Sequence, residues 1–152
     1  MNSEDVRLTP IKNGTALDHL PKGSALKILE ILGLEAHDKA VTIAINTESR
    51  KLGKKDLVFI EGKALSTEEI EKIGLIAEGA TLNYIENSIV KSKAGIELPE
   101  KAIGILKCLN PKCVTNYDEI PTKFSISRQP FKAKCHYCEK IIAGKEISEA
   151  VR

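Results

Sequence analysis

The chain has 152 residues, of which 42% are hydrophobic and 29% are charged, a composition typical of a folded globular protein rather than a disordered one. Its formal net charge of +2 is too small to indicate nucleic-acid binding by bulk electrostatics. No stretch approaches the ~20 apolar residues of a membrane span, and the N-terminus lacks the apolar core of a signal peptide, so we expect a cytoplasmic protein.

Strand and helix patterns alternate along the first hundred residues. The elements predicted in chain order are a strand over 6–12, a helix over 24–32, strands over 41–45 and 56–61, a helix from Ser66 to Gly79, and strands over 81–85 and 88–91. In the first helix Leu26 and Ile28 share one apolar face with its other leucines, Ser24 is the predicted N-cap and Gly33 takes the left-handed position at its end. Ser66 and Glu69 have the spacing of a capping box. The polar segment 46–53 is predicted to be a loop.

This order of elements is typical of a ferredoxin-like α+β domain with one additional strand. Segment 93–101 contains Gly95 and Pro99 and is predicted to be a linker. We therefore expect a first domain at residues 1–97 and a second at residues 98–152. A domain of about fifty residues seldom buries enough apolar surface to fold without a disulfide or a bound metal.

All four cysteines lie in the predicted second domain, as a C-x4-C pair at Cys108 and Cys113 and a C-x2-C pair at Cys135 and Cys138. Tetrahedral Zn²⁺ takes four thiolates at about 2.3 Å, and two short cysteine turns supply two each. In a cytoplasmic protein this set favours metal over disulfides. We predict one structural Zn²⁺ in a β-rich, rubredoxin-like domain, with no open coordination position for catalysis. Two disulfides, buried free thiols and a rubredoxin-like iron site are the alternatives, and His136 is expected to point outward.

A possible ligand site lies in the first domain, where Asp18 and His19 follow Gly14 in a predicted loop leading into the first helix. The alternative is a local turn in which Asp18 accepts backbone hydrogen bonds and His19 packs on a neighbour. Asn83 could contact a base or a ribose, and Lys93 could pair with phosphates, although a lone lysine is usually solvated. Because the sequence contains no catalytic motif, we expect a binding protein and not an enzyme.

Several segments together resemble one known family. They are IKNGTALDHLP at 11–21, GKKDL at 53–57, NYIEN at 83–87, LPE at 98–100, the C-x4-C pair and YCEK at 137–140. In this order, over nearly the whole chain, they resemble the regulatory chain of aspartate carbamoyltransferase. The resemblance implies a non-catalytic chain that binds nucleoside triphosphates, CTP as inhibitor and ATP as activator, and so controls an enzyme of pyrimidine biosynthesis that joins carbamoyl phosphate to aspartate.

The resemblance also implies which residues bind the nucleotide: Ile11, Ala16, Asp18, His19, Asn83, Ile85, Val90 and Lys93. Asp18 and Asn83 would select the base or ribose, and Lys93 with His19 would contact the triphosphate. Backbone groups around Pro10 and Ile11 would contact the base. Two positions depart from the family pattern, since Phe59 stands where relatives that respond to CTP carry a lysine and Ser88 where they carry a tyrosine, so the resemblance does not fix the effector preference.

In the family, the zinc domain docks on the catalytic chain and the first domains pair into a regulatory dimer. Asn110 and Glu139 match positions that face the catalytic chain, whereas Lys112 departs from the usual residue. Two other functions fit the cysteine pattern alone: a zinc-ribbon protein that binds nucleic acid, which the near-neutral charge disfavours, and a rubredoxin-like electron carrier. Neither nucleic acid nor a membrane is an expected partner.

Overall fold

The computed structural model describes residues 11–152, which form two compact units. The first holds the described residues up to Leu65 together with Gly79–Gly95, and the second holds Ser66–Glu78 together with Ile96–Arg152. Most of the strand predicted over 6–12 lies outside the described residues. In the described part of the chain, no helix is long and apolar enough to cross a membrane.

The first unit is built on a five-stranded antiparallel sheet. Its strands, in chain order, are β1 (Gly14–Pro21), β2 (Val41–Ser49), β3 (Gly53–Glu61), β4 (Thr81–Glu86) and β5 (Ile89–Gly95). The spatial order is β2-β3-β1-β4-β5, so the first four strands have the arrangement of a ferredoxin-like sheet and β5 is the additional strand. Helix α1 (Ser24–Ile31) packs against β1 and β3. The predicted α+β class is confirmed.

The prediction of a loop over residues 14–19 is wrong, because this segment is β1. Leu17 and Leu20 are fully buried, and Thr15 is buried as well, since its hydroxyl donates to the Lys63 carbonyl. A β-bulge between Leu17 and Leu20 places His19 at a φ of 55°. Polar residues therefore interrupt the apolar alternation that identifies a strand in sequence.

The prediction of a loop over 46–53 is also wrong, since β2 runs to Ser49 and β3 begins at Gly53. A bulge between Ala44 and Thr47 gives Asn46 a φ of 62°. The distal part of this hairpin is largely exposed, so its sequence is polar although its backbone is paired.

The start of α1 differs from the prediction. The N-cap is Gly23, without a side-chain cap, and the Ser24 hydroxyl donates instead to the Pro21 carbonyl at 2.6 Å. The Asp56 carboxylate, which is fully buried, accepts hydrogen bonds from the backbone N–H groups of Gly23 (2.9 Å) and Ala25 (3.1 Å). Asp56, which lies on β3, thus caps the N-terminus of α1. At the other end Gly33 has the predicted left-handed conformation, with φ 61°.

Leu26, predicted to share the apolar face of α1, is 55% exposed. The buried residues of the helix are Ser24, Ala25 and Ile28. The apolar spacing therefore predicted the helix correctly but assigned Leu26 to the wrong face. A short helix has few apolar positions, so its orientation is poorly defined by sequence.

The β4–β5 hairpin confirms the two predicted strands, but the turn between them holds Asn87 together with Ser88, which was predicted to begin the second strand. Both have positive φ values, 52° and 65°, as in the two-residue type I′ turn that suits the twist of a hairpin. Strand β5 continues to Gly95, so the linker predicted to begin at Lys93 begins after Gly95. The first unit also ends at Gly95, close to the boundary expected after residue 97, which stays a prediction.

The second unit combines α2 (Thr67–Ile76) with a four-stranded antiparallel sheet and a short C-terminal helix. The sheet contains β6 (Lys101–Ile103), β7 (Lys123–Arg128), β8 (Phe131–Cys135) and β9 (Ile141–Ala143) in that spatial order, followed by α3 (Lys145–Ala150). The capping box of Ser66 and Glu69 at the start of α2 is confirmed. The buried aliphatic side chains include Ile73, Ile105, Leu106, Ile142 and Ile147.

Candidate functional sites

The four cysteines of the second unit form one cluster. Cys108 and Cys113 lie on either side of a turn, Cys135 ends β8, and Cys138 lies in the turn that follows. Their Sγ atoms all lie within 4.8 Å of one another, with 3.6 Å between Cys108 and Cys138 and 3.8 Å between Cys113 and Cys135. All four are free cysteines, so the alternative of two disulfides is wrong.

The geometry of this cluster fits a tetrahedral metal ion. Four sulfurs that each lie about 2.3 Å from one Zn²⁺ are separated from one another by about 3.8 Å. Iron in a tetrahedral thiolate site requires the same arrangement. The cysteines can therefore hold one metal ion and leave no open position on it. His136 is exposed and is not part of the cluster, as predicted.

Hydrogen bonds within the two turns hold the sulfurs in place. The Thr115 hydroxyl donates to the Cys113 Sγ atom at 3.2 Å. The Asn116 amide donates to the carbonyls of Cys108 (3.1 Å) and Asn110 (2.8 Å). In the second turn the Glu139 N–H donates to the Cys135 carbonyl at 3.0 Å. Such supporting contacts orient ligands before the metal arrives.

The protonation states of the thiols are unequal. Burial raises the pKa of Cys108 to about 12. Burial also raises the pKa of Cys138, but hydrogen bonds from the Asn110 side chain and the Lys140 backbone outweigh it and lower the pKa to about 6. The lowered pKa of Cys138 favours the thiolate form that binds a metal, while Cys108 must lose its proton to become a ligand.

The two residues predicted to contact a partner chain both lie beside the cysteines. The Asn110 side chain accepts a hydrogen bond from the Lys112 N–H at 3.0 Å and also contacts Cys138. Glu139 follows Cys138 directly, is exposed and has a φ of 64°. The contact of Asn110 with Cys138 was not predicted from the sequence. The position of Asn110, two residues after Cys108, was the one signal for it.

The residues predicted to bind nucleotide are brought together by strand register in the first unit. Ala16 on β1 lies opposite Asn83 on β4, and Asn83 lies opposite Lys93 on β5. Ile85 lies opposite Val90 on the neighbouring strand and, two residues from Asn83, shares its face. Residues directly opposite on neighbouring strands point to the same face of a sheet. We call this surface the Asn83 face.

An apolar cluster covers part of the Asn83 face. Ile11, Ala16 and Ile85 are buried together, and Phe59, opposite Ala16 on β3, packs against them. Ile11 is only 2% exposed. Phe59 therefore extends the apolar surface on this part of the Asn83 face.

Asp18 and His19 lie at the bulge of β1, at one end of the same face. The Asp18 Oδ1 atom accepts a hydrogen bond from the His19 N–H at 2.6 Å and lies 2.8 Å from the Lys55 Nζ atom. The His19 ring contacts the Thr81 hydroxyl at 3.0 Å. These contacts are the local turn that was the alternative interpretation of the sequence. The ion pair with Lys55 was not predicted, and the only sequence signal for it was the place of Lys55 in the 53–57 motif.

A cavity of about 390 Å³ opens beside this face. It is lined by Asn13, Gly14, Gly62, Lys63, Ala64, Tyr84, Ile85, Glu86 and Lys91. Ile85 is the one residue that it shares with the predicted nucleotide set, so it lies next to the predicted site and does not coincide with it.

Comparisons with known proteins match both units. A family model described as the allosteric domain of the aspartate carbamoyltransferase regulatory chain matches residues 6–97, and one described as the metal-binding domain of that chain matches residues 100–148. Similar proteins include the aspartate carbamoyltransferase regulatory chains of Pyrococcus horikoshii and Korarchaeum cryptofilum. That of Pyrococcus horikoshii is 49% identical over 146 residues, covering 94% of this chain and 96% of the relative. That of Korarchaeum cryptofilum is 45% identical over 150 residues, covering 96% of each.

Proposed function

The chain belongs to the family of aspartate carbamoyltransferase regulatory chains, with an allosteric and a metal-binding domain, and from this premise we propose that nucleoside triphosphates bind the Asn83 face and control an attached catalytic chain. The observation that carries the proposal is the strand register. It gathers on one face residues that lie far apart in sequence: Ala16, Asn83 and Lys93.

In the proposed site, the base lies over the apolar cluster and the phosphates lie toward the cationic groups. Backbone groups around Ile11, with the side chains of Ala16, Ile85 and Val90, would contact the base. Asp18 and Asn83 carry the acceptors and donors that a ribose or base edge needs. Lys93 is exposed and is the proposed partner of the triphosphate, together with His19.

The choice of effector is proposed to differ from the family pattern because of two side chains. Phe59 packs in the apolar cluster and offers no donor to a pyrimidine carbonyl. Ser88 lies in the β4–β5 turn, where its N–H donates to the Lys12 carbonyl at 2.9 Å, and it is too small to cover a base. CTP and ATP are therefore the effectors to test side by side.

The metal is proposed to be one structural Zn²⁺ held by Cys108, Cys113, Cys135 and Cys138. The sulfur separations of 3.6 and 3.8 Å support a tetrahedral ion. A metal of this type contributes ~10–16 kcal/mol to folding in small peptide models. Metal analysis with a visible spectrum distinguishes colourless zinc from coloured iron and thereby tests the electron-carrier alternative.

The metal-binding unit is proposed to dock on the catalytic chain through the surface around the cysteines. Leu109 and Val114 are each 38% exposed and Tyr117 is 72% exposed, an apolar group beside the metal site that suits a protein partner. Glu139 would add a charged contact. Asn110 would contact the partner and also forms a hydrogen bond with Cys138. Its substitution would therefore affect both docking and the metal site.

Regulation requires that nucleotide binding and partner activity be coupled by ~1–3 kcal/mol, which needs unequal nucleotide affinity for two quaternary states. We propose that the first domains, residues 1–97, pair into regulatory dimers and that the second domains, residues 98–152, carry the effect to the catalytic chain. The short segment between β5 and β6 would transmit it.

Co-purification and calorimetry test this proposal. The metal-loaded chain should co-purify with the catalytic chain and bind ATP or CTP with a measurable heat. Substitution of Lys93 by Met should weaken nucleotide binding and leave co-purification intact. A chain that binds neither nucleotide under any condition, or that forms no complex with the catalytic chain, would refute it.

A further inference from the structure

A second cavity, of about 310 Å³, lies on the sheet of the second unit, where the proposed function gives it no role. Its size is at the lower end of the range for ligand pockets, which suits a small molecule. All of its lining residues are neutral or cationic, and they come from β6, β7 and the residue after β8: Lys101, Ile103, Lys123, Phe124, Ser125 and His136.

Strand register gathers three lysines around Ser125 at this cavity. Lys101 on β6 and Lys134 on β8 each lie directly opposite Ser125 on β7. Lys123 is two residues from Ser125 on the same strand and therefore points to the same face. Opposite residues on neighbouring strands have Cβ atoms about 5 Å apart. Long lysine side chains at these positions can bring their ammonium groups together above one hydroxyl.

The three lysines lie on the solvent side of the sheet and have no counter-charge. They and Ser125 are exposed, whereas the residues that alternate with them, among them Ala102, Phe124 and Cys135, are buried. In the described part of the chain, none of the three forms an ion pair. Like charges on neighbouring strands repel one another, so an anion bound between them would stabilise this arrangement.

A phosphoryl group matches this set of donors. It carries up to two negative charges and three strong acceptor oxygens, whereas a carboxylate carries one charge and two oxygens. We propose that the cavity binds a small phosphate-bearing ligand, with its phosphoryl oxygens held by Lys101, Lys123, Lys134 and the Ser125 hydroxyl. Ile103, which is 58% exposed at the cavity, would contact the carbon part of a phosphate ester. The site lies in the other unit from the proposed nucleotide site and does not depend on it.

The experiment is an NMR titration of the full metal-loaded chain at constant ionic strength. Inorganic phosphate, glycerol 3-phosphate and acetate are the probes. The Lys93→Met variant serves as the background, because it lacks the phosphate contact proposed for the nucleotide site. Both phosphate probes should shift the amide signals of Lys101, Ser125 and Lys134 in a saturable way, and acetate should bind more weakly.

Single substitutions test whether the lysines hold the ligand. Lys101→Met and Lys123→Met should each weaken phosphate binding about fivefold, the effect of losing one exposed charge pair of favourable geometry. Lys145→Met is the matched control, because Lys145 is an exposed lysine of the same unit that does not line the cavity. It should bind phosphate as the background does. Thermal unfolding and metal content verify the fold, and Lys101→Gln replaces Lys101→Met if that variant unfolds.

The two phosphate probes distinguish the sources of the phosphoryl group. Tighter binding of glycerol 3-phosphate supports an organic ester that contacts Ile103, and equal binding supports inorganic phosphate as the ligand. The inference is overturned if the shifts do not saturate and spread over lysines outside the cavity, if acetate binds as tightly as phosphate, or if Lys101→Met and Lys123→Met bind phosphate no more weakly than Lys145→Met.

Discussion

Replacing Asp56 with Asn should destabilise the first unit strongly although the change alters one atom. The Asp56 carboxylate is fully buried and accepts three backbone hydrogen bonds: from Gly23 at 2.9 Å, Ala25 at 3.1 Å and Asn46 at 3.1 Å. An asparagine has one acceptor oxygen, so its NH₂ group would face backbone donors on one side. At least one of these three backbone N–H groups then loses its partner.

The magnitude follows from the contacts. A hydrogen bond to a charged group contributes ~1.5–3 kcal/mol, and a carboxylate at a helix N-terminus adds ~0.3–1 kcal/mol. We therefore expect a loss of about 2–4 kcal/mol in the free energy of unfolding. Urea denaturation of the metal-loaded chain, followed by circular dichroism, measures it.

Asp38→Asn is the matched control, because Asp38 is exposed and surface substitutions usually change stability by less than ~0.5 kcal/mol. If Asp56→Asn changes the unfolding free energy no more than Asp38→Asn does, the three hydrogen bonds do not carry the stability that the structure assigns to them.

Three further predictions concern the metal and the segment between the units. Cys113→Ala should abolish stoichiometric metal binding and unfold the second unit, as metal analysis and circular dichroism would report; a folded, metal-free variant would contradict a structural role. Metal affinity should fall as pH falls, because protons compete for the thiolates, and should fall more steeply below about pH 6, where Cys138 takes up its proton; chelator competition from pH 5 to 8 measures this, and a constant slope would count against it. Inserting a flexible Gly-Ser segment after Glu97 should remove the effect of nucleotide on the catalytic rate and leave metal content unchanged; an unaltered response would mean that this segment does not transmit the effect.

Local signals in the sequence predicted local structure well. The capping box of Ser66 and Glu69 and the left-handed Gly33 both depend on residues within a few positions of one another. The cysteine cluster was predictable for the same reason, because each pair forms a short turn and a metal site with four thiolates requires the two turns to meet.

The errors arise where polar side chains serve contacts that are distant in sequence. Thr15 can be buried in β1 because its hydroxyl donates a hydrogen bond to the Lys63 carbonyl. A polar residue therefore occupies a core position, and the apolar alternation of that strand is lost. The cap of α1 comes from Asp56, about thirty residues away from the helix start, so no local sequence pattern predicts it.

The candidate nucleotide site depended on the resemblance and not on spacing. Asp18 is separated from Asn83 and Lys93 by most of the first domain, and only the pairing of β1 with β4 brings their strands together. The grouping of Ser66–Glu78 with the second unit was likewise not foreseen, because it depends on tertiary packing that periodicity does not encode.

The most direct test of the account is the rate at which the catalytic chain forms carbamoyl aspartate when assembled with this chain. At subsaturating aspartate, adding ATP, CTP or UTP should change the rate with at least one nucleotide, and Lys93→Met in this chain should abolish the change. A fully assembled complex whose rate responds to none of the three nucleotides would contradict a regulatory role for the Asn83 face.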